Sequence, residues 1–209
     1  MALYVLAITD GPIRPARVGG RMLHDIDVNG VHAICERRQK VPDISDDVLR
    51  AQHQTVTGIA RHVRGILPVR FGALLARAEL VELLRAHEPE LRRALDDVRG
   101  RVQMTTRVLG NASRRQAAAS TSGRQYLERR RQIVSPELPP RATAFLAAVE
   151  PFVVRERREA GAIGLLATVY HLVNAADVRR FKAIARKMSD GGIISTGPWP
   201  PFAFTPQLF

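Results

Sequence analysis

Disulfide and metal frameworks are excluded first, because the 209-residue chain holds one cysteine, Cys35. A lone thiol closes no intramolecular disulfide and supplies no cysteine-based metal framework. It alternates with Val31 and Ala33, which predicts a buried thiol. Aromatic residues make up only 5% of the chain, with a single Trp, and Tyr126 is the one aromatic interleaved in its basic cluster, so stacking on bases there is poorly supported. Lysine is nearly absent: Lys40, Lys182 and Lys187 are the lysines among 32 basic residues. No apolar run approaches the ~18 residues of a membrane span. The first residues lack a basic n-region, and Thr9 and Asp10 interrupt their apolar stretch. A cytoplasmic chain that does not enter a membrane is therefore expected.

Catalytic signatures are missing too. Neither GxGxxG nor GxxxxGK[ST] occurs, and there is no G-x-S-x-G elbow and no HExxH pair. The six histidines, His24, His32, His53, His62, His87 and His171, are scattered; each is expected on the surface or in a satisfied structural role. The acidic pairs Asp25/Asp27, Asp46/Asp47 and Asp96/Asp97 suit helix ends and solvated faces. No catalytic residue, cofactor or metal is expected, and the chain reads as a non-enzyme.

What is present is an ordinary globular composition, 45% apolar and 25% charged, with length for one large or two small domains. Net charge is +12. An acidic or nucleic-acid partner is one reading. The Arg- and Ala-heavy composition is the other, and it weighs more because the charge is spread along the chain. The one concentration is Arg114, Arg115, Arg124, Arg129, Arg130 and Arg131, with Glu128 as counter-charge and Tyr126 among them. Such a helix would suit nucleic acid, an acidic protein surface, or solvent.

Pattern predicts a buried strand over residues 3–8. Two strands, 22–28 and 31–36, flank Asn29-Gly30, whose residues both tolerate positive φ. Ser45 should cap a helix with Asp46 and Asp47 in its first turn. Its stripe runs through Val48, Leu49, Gln52, Val56, Ile59 and Val63, broken only by Gln52, and Gly65 should close it. A strand over 66–71 carries Pro68, which suggests a sheet edge or bulge. Helices follow over 77–86 and from Pro89 to Gly100, then a strand over 101–109. Beyond it, 114–133 and 141–158 read as helices, 164–172 as a strand, 175–188 as a helix and 193–196 as a strand. The four prolines of 197–209 rule out a regular central strand there. The fold class expected is α+β: a ferredoxin-like domain over 1–110, with an antiparallel sheet and helices on one face, and a second α+β domain over 111–209 with helices, a small sheet and a Pro/aromatic tail.

Three stretches are more specific than any of these patterns. Ile66-Leu67-Pro68-Val69-Arg70-Phe71-Gly72, Gly123-Arg124-Gln125-Tyr126-Leu127-Glu128-Arg129-Arg130 and Thr196-Gly197-Pro198-Trp199-Pro200-Pro201-Phe202-Ala203-Phe204 resemble, in order and spacing, three motifs of the gas vesicle protein F/L family. Phe202 stands where that family usually has Tyr. The resemblance implies a two-domain accessory protein of gas vesicle formation with no activity or cofactor, at gas vesicles in the cytoplasm. Its implied partners are the small shell protein and other accessory proteins; a basic nucleic-acid-binding regulator using residues 114–131 is the alternative. Candidate contacts are Arg70, Arg124, Tyr126, Arg129, Arg130, Trp199 and Phe202. Arg70 could instead pair with a buried carboxylate. The tail rings could instead fold back over the second domain's core.

Overall fold

The computed structural model describes residues 2–14, 17–110, 138–161, 164–188 and 191–208. Its contacts divide into two compact units, Met1–Gln103 with Trp199–Phe209, and Met104–Pro198. Both units mix helices with antiparallel strands, so the α+β class is met.

In the first unit the central strand is β1 (Ala2–Thr9). The small hairpin of β2 (Arg17–Val18) and β3 (Arg21–Met22) follows it. Next come β4 (His24–Val28) and β5 (Val31–Arg38). The turn between those two places Asn29 at φ 53° and Gly30 at φ 80°, the pair of left-handed conformations that an Asn-Gly turn supplies at least cost. With β6 (Ile66–Pro68) the sheet runs β4-β5-β1-β6, and β7 (Leu74–Leu75) also pairs with β1. Every one of these pairings is antiparallel. Pro68 sits on the edge strand β6, where its missing N–H costs no ladder bond.

Helix α1 (Asp46–Ile59) begins as expected: Ser45 Oγ accepts from the Val48 N–H at 3.3 Å. It ends at Ala60, short of Gly65. Gly65 serves packing instead; an added Cβ would stand 3.1 Å from Asp10 and from the Leu95 carbonyl. Tyr4 and Leu6 of β1 share a core with Val56 and Ile59 of α1. Leu3, Val5 and Ile8 are buried as well. Successive strand residues face opposite ways, so β1 is covered on both sides. Helices α2 (Arg77–Ala86) and α3 (Glu88–Val98) contact β4, β5 and β6, and Leu80, Leu84, Leu91, Leu95 and Val98 are buried. The expectation of helices on one face is corrected. The unbroken apolar run of β1 offers no polar alternate to leave wet, and helices take both faces. The ferredoxin-like β-α-β-β-α-β pattern needs a helix between the first and second long strands; here the β2–β3 hairpin occupies that connection.

In the second unit the sheet order is β11 (Ile193–Trp199), β8 (Arg101–Leu109), β10 (Leu165–Asn174), β9 (Val153–Ala160). Helices α4 (Pro140–Val149) and α5 (Val178–Met188) lay Phe145, Val149, Phe181 and Ala185 against Met104, Val108, Val169 and Val173. Three expectations change. Strand β8, read as part of the first domain, pairs within this second sheet. The helix read over 141–158 stops at Val149, because Pro151 cannot continue it; a 3-10 turn, Glu150–Phe152, leads into β9. Finally, β11 continues through Pro198 to Trp199, which its place at the sheet edge allows, and the chain from Trp199 onward belongs to the first unit. The helix read over 114–133 lies outside the described residues.

Candidate partner-binding site

The stretch 66–72 is held by one buried hydroxyl. Tyr4, 1% exposed, donates from its OH to Gln52 Oε1 at 2.6 Å and accepts from the Gly72 N–H at 3.2 Å. Phe71 meets its ring edge-on at 6.0 Å, and the Arg38 guanidinium lies 5.7 Å over it. Burial pushes the Tyr4 phenol pKa up, with the Gly72 N–H opposing. The one polar residue in the α1 stripe thus has its reason: Gln52 is buried because its Oε1 accepts the hydrogen bond of the Tyr4 hydroxyl. Arg70 is exposed and makes no ion pair or hydrogen bond among the described residues, so the buried-carboxylate reading of it is corrected. Val69 before it is buried and Phe71 after it is half-buried.

The tail closes on α1. Trp199 meets the His53 ring edge-on at 5.1 Å, and Phe202 stacks on the same imidazole at 5.5 Å with 21° between planes. Pro200, Pro201 and Phe204 are buried. The Phe202 N–H donates to the Pro200 carbonyl at 2.8 Å, and the Phe204 N–H to that of Pro201 at 3.0 Å. The Ala203 N–H donates to Gln103 Oε1 at 2.8 Å. These bonds pair the backbone N–H groups of residues 202–204 and hold the segment as a turn. The expectation that the rings fold over the second domain's core is corrected: they fold back, but onto α1 of the first unit. Trp199 is half-buried, whereas Phe202 keeps 36% of its surface in solvent. Leu49, one helical turn before His53, is 41% exposed, and Ile44 just before the helix is 75% exposed. Single exposed apolar residues are ordinary; a stacked Phe-His pair beside an exposed Leu on one helix face is an apolar patch.

The remaining candidates Arg124, Tyr126, Arg129 and Arg130 lie outside the described residues. The buried titratable groups are held in unreactive forms. Cys35 donates to the Ala33 carbonyl at 3.5 Å, and burial, with Asp25 adding to it, pushes its thiol up to about 12. A thiol held protonated is a poor nucleophile. His171, 0% exposed, places Nε2 3.1 Å from Thr106 Oγ1 and Nδ1 3.4 Å from Glu156 Oε2. Burial lowers its pKa to about 4, outweighing the pull of Glu156, so at neutral pH the contact joins a neutral imidazole to a carboxylate. His171 takes the buried structural role expected of a scattered histidine, and its position between Val169 and Val173 on β10 is the sequence signal for its burial. Among the described residues no three His, Cys, Asp or Glu side chains are placed to hold a metal ion, and no helix is long and apolar enough to cross a membrane.

The fold is similar to two solved structures. One is the gas vesicle protein GvpF from Anabaena sp. PCC7120, at TM-score 0.75 and 15% identity, covering 98% of this chain and 96% of that one. The other is GvpF from Microcystis aeruginosa, at TM-score 0.72 and 15% identity, covering 97% and 98%. At such identity the likeness carries the fold. No curated protein matches the chain in sequence. The family described as gas vesicle synthesis protein GvpL/GvpF matches residues 2–206, a span that holds both the Tyr4-anchored stretch and the tail on α1; the chain belongs to that family and has a role in gas vesicle formation.

Proposed function

We propose that the chain is a non-enzymatic accessory protein that binds the small gas vesicle shell protein, alone or with other accessory proteins, through the face built on α1 and the tail. The observation that carries this reading is Phe202, stacked on His53 yet one-third exposed, beside half-buried Trp199 and exposed Leu49. Aromatic anchors on a rigid backing are what protein interfaces favour, because little side-chain freedom is lost on docking. Here the backing is a helix, and the turn that presents the ring is pinned by its own hydrogen bonds. Such a surface suits the apolar subunit of a gas-filled shell during assembly in the cytoplasm, or on the vesicle.

The test is capture of the full chain on immobilised shell protein, with Leu49→Ser/Phe202→Ser as the variant. Each side chain is more than half covered and Phe202 stacks on His53, so the variant should lose about 1–3 kcal/mol of stability, and capture is compared at a temperature where circular dichroism shows it folded. Capture should fall at least about tenfold, the scale of a lost hot spot, and a strain carrying only the variant should form few vesicles. Undiminished capture by the variant overturns the assignment of this face.

One observation favours a second reading, a basic nucleic-acid-binding regulator. Helix α5 carries Arg179, Arg180, Lys182, Arg186 and Lys187 with no acidic residue inside it. It would add to the basic stretch 114–131. Phosphate contacts release counterions, so binding to duplex or single-stranded nucleic acid would fall steeply with salt; absence of binding at low salt removes the reading.

A further inference from the structure

Strand β9, Val153-Val154-Arg155-Glu156-Arg157-Arg158-Glu159-Ala160, lies at the end of the second sheet. Residues 154–160 are exposed, and among the described residues no strand pairs with its outer edge. An edge of eight residues left open among the described residues is a template for another strand. Charged side chains ordinarily guard such edges by repelling whatever arrives, so the charge pattern decides what this edge accepts.

We propose that β9 pairs antiparallel with β9 of a second copy of this chain, about a two-fold axis at Arg157, joining the two sheets edge to edge. Opposed residues of antiparallel strands share a face and interact directly. Centred on Arg157, the pairing sets Arg155 against Glu159, Glu156 against Arg158 and Val154 against Ala160, and the symmetry makes each pair twice. The single like-charge contact is Arg157 with itself. A slip of one residue in one direction sets Arg155 against Arg158, which cancels the gain of Glu156 against Arg157; in the other it sets Glu156 against Glu159 and Arg157 against Arg158. The register centred on Arg157 makes four opposite-charge contacts against one like-charge contact, more than any neighbouring register offers. A self-complementary patch is what a two-fold interface requires, since the same surface serves both subunits.

The fold prepares this register. Glu156 already binds Arg158 at 2.6 Å, and Glu159 lies 3.5 Å from Arg157 and accepts from the Tyr170 OH at 2.9 Å. The carboxylates are therefore oriented before a partner arrives, and a second copy adds an Arg to each. Both copies carry net +12, which opposes approach at long range. At physiological ionic strength that repulsion is screened beyond about 8 Å, while directly opposed pairs are not.

Sedimentation of the full chain over a concentration series at physiological salt should show a monomer–dimer equilibrium. Arg155→Glu turns both symmetry-related Arg155–Glu159 pairs from attractive to repulsive and should raise the dissociation constant about tenfold, given two inverted cross-strand contacts. The exchange Arg155→Glu/Glu159→Arg should restore most of it. A second measurement holds even if Arg155→Glu folds poorly. Residue 157 faces its own copy at a Cα separation of about 4.5–5.5 Å, inside disulfide range. Arg157→Cys should therefore cross-link under mild oxidation, and Arg158→Cys, which faces Glu156, should do so far less. Cys35 is buried and adds no background. A chain that stays monomeric throughout, a dimer indifferent to Arg155→Glu, or equal cross-linking at 157 and 158 overturns the proposal.

Discussion

Acidification from about pH 6.5 to about pH 4 should remove about 3 kcal/mol of folding stability through His171 alone. The unfolded chain takes up a proton on this imidazole near its ordinary value of 6.5; the folded chain resists until about 4. In that window the unfolded state holds more protons, so stability falls as pH falls and is fully present above the window. The reason is structural. The ring is 0% exposed, with Phe181 5.4 Å away and the Thr106 hydroxyl at Nε2. The charged form would lose its hydration in that core, and Glu156 at 3.4 Å, itself partly solvated, repays only part of the loss. Each pKa unit between folded and unfolded states is 1.36 kcal/mol, which sets the figure as an upper value. Urea denaturation at stepped pH, for the native chain and His171→Gln, isolates the effect from the other titrating groups. Gln can still hydrogen-bond Thr106 but does not titrate. The variant should be less stable at neutral pH by about 1–3 kcal/mol, and the gap should close or reverse as pH drops to about 4. A gap that stays constant across the window would show that His171 protonates freely in the folded state, and the reasoning would fail.

Two further substitutions probe the first unit. Tyr4→Phe should cost about 1–3 kcal/mol by leaving Gln52 Oε1 and the Gly72 N–H without their partner; in a double-mutant cycle with Gln52→Met, the second loss should be smaller than the sum predicts. Gly58→Ala would stabilise an ordinary helix interior by about 1 kcal/mol. Here the new Cβ would lie 2.4 Å from Cγ1 of Val18, a stiff β-branched side chain, so thermal unfolding should show a loss of about 1–3 kcal/mol, partly recovered with Val18→Ala.

Local chemistry in the sequence accounts for most of the first unit. The Asn29-Gly30 turn, the Ser45 cap and the stripe Leu91, Leu95, Val98 are each decided by neighbouring residues, and each is found in place. The same holds for Pro68, whose missing N–H sends its strand to an edge. The partner of Tyr4 was not legible, because Gln52 looks like a defect in a helical stripe until a residue 48 positions away is brought to it. The destination of the tail was not legible either. The apolar content of Trp199 and Phe202 states that something covers or meets them, but His53 is marked by no pattern.

Strand β9 shows why the second unit was harder to read. Periodicity reports burial, and a strand whose outer seven residues are all wet has no apolar alternation to report; Arg-Glu-Arg-Arg-Glu reads as the exposed side of a helix. Pro151 should have outweighed that reading, since it removes a helix donor and clashes with the carbonyl four residues back. Once the segment is known to be an edge strand, its charges mean something different. On a helix, Arg155 and Glu159 would be an i,i+4 pair that satisfies itself. On a strand they lie four residues apart along one face and span roughly 13 Å of it, too far to pair directly. The strand therefore leaves in place the sign alternation that a second antiparallel copy can match. The secondary structure that hid this segment from the sequence is the same feature that lays its charges along an edge where a second copy can oppose them.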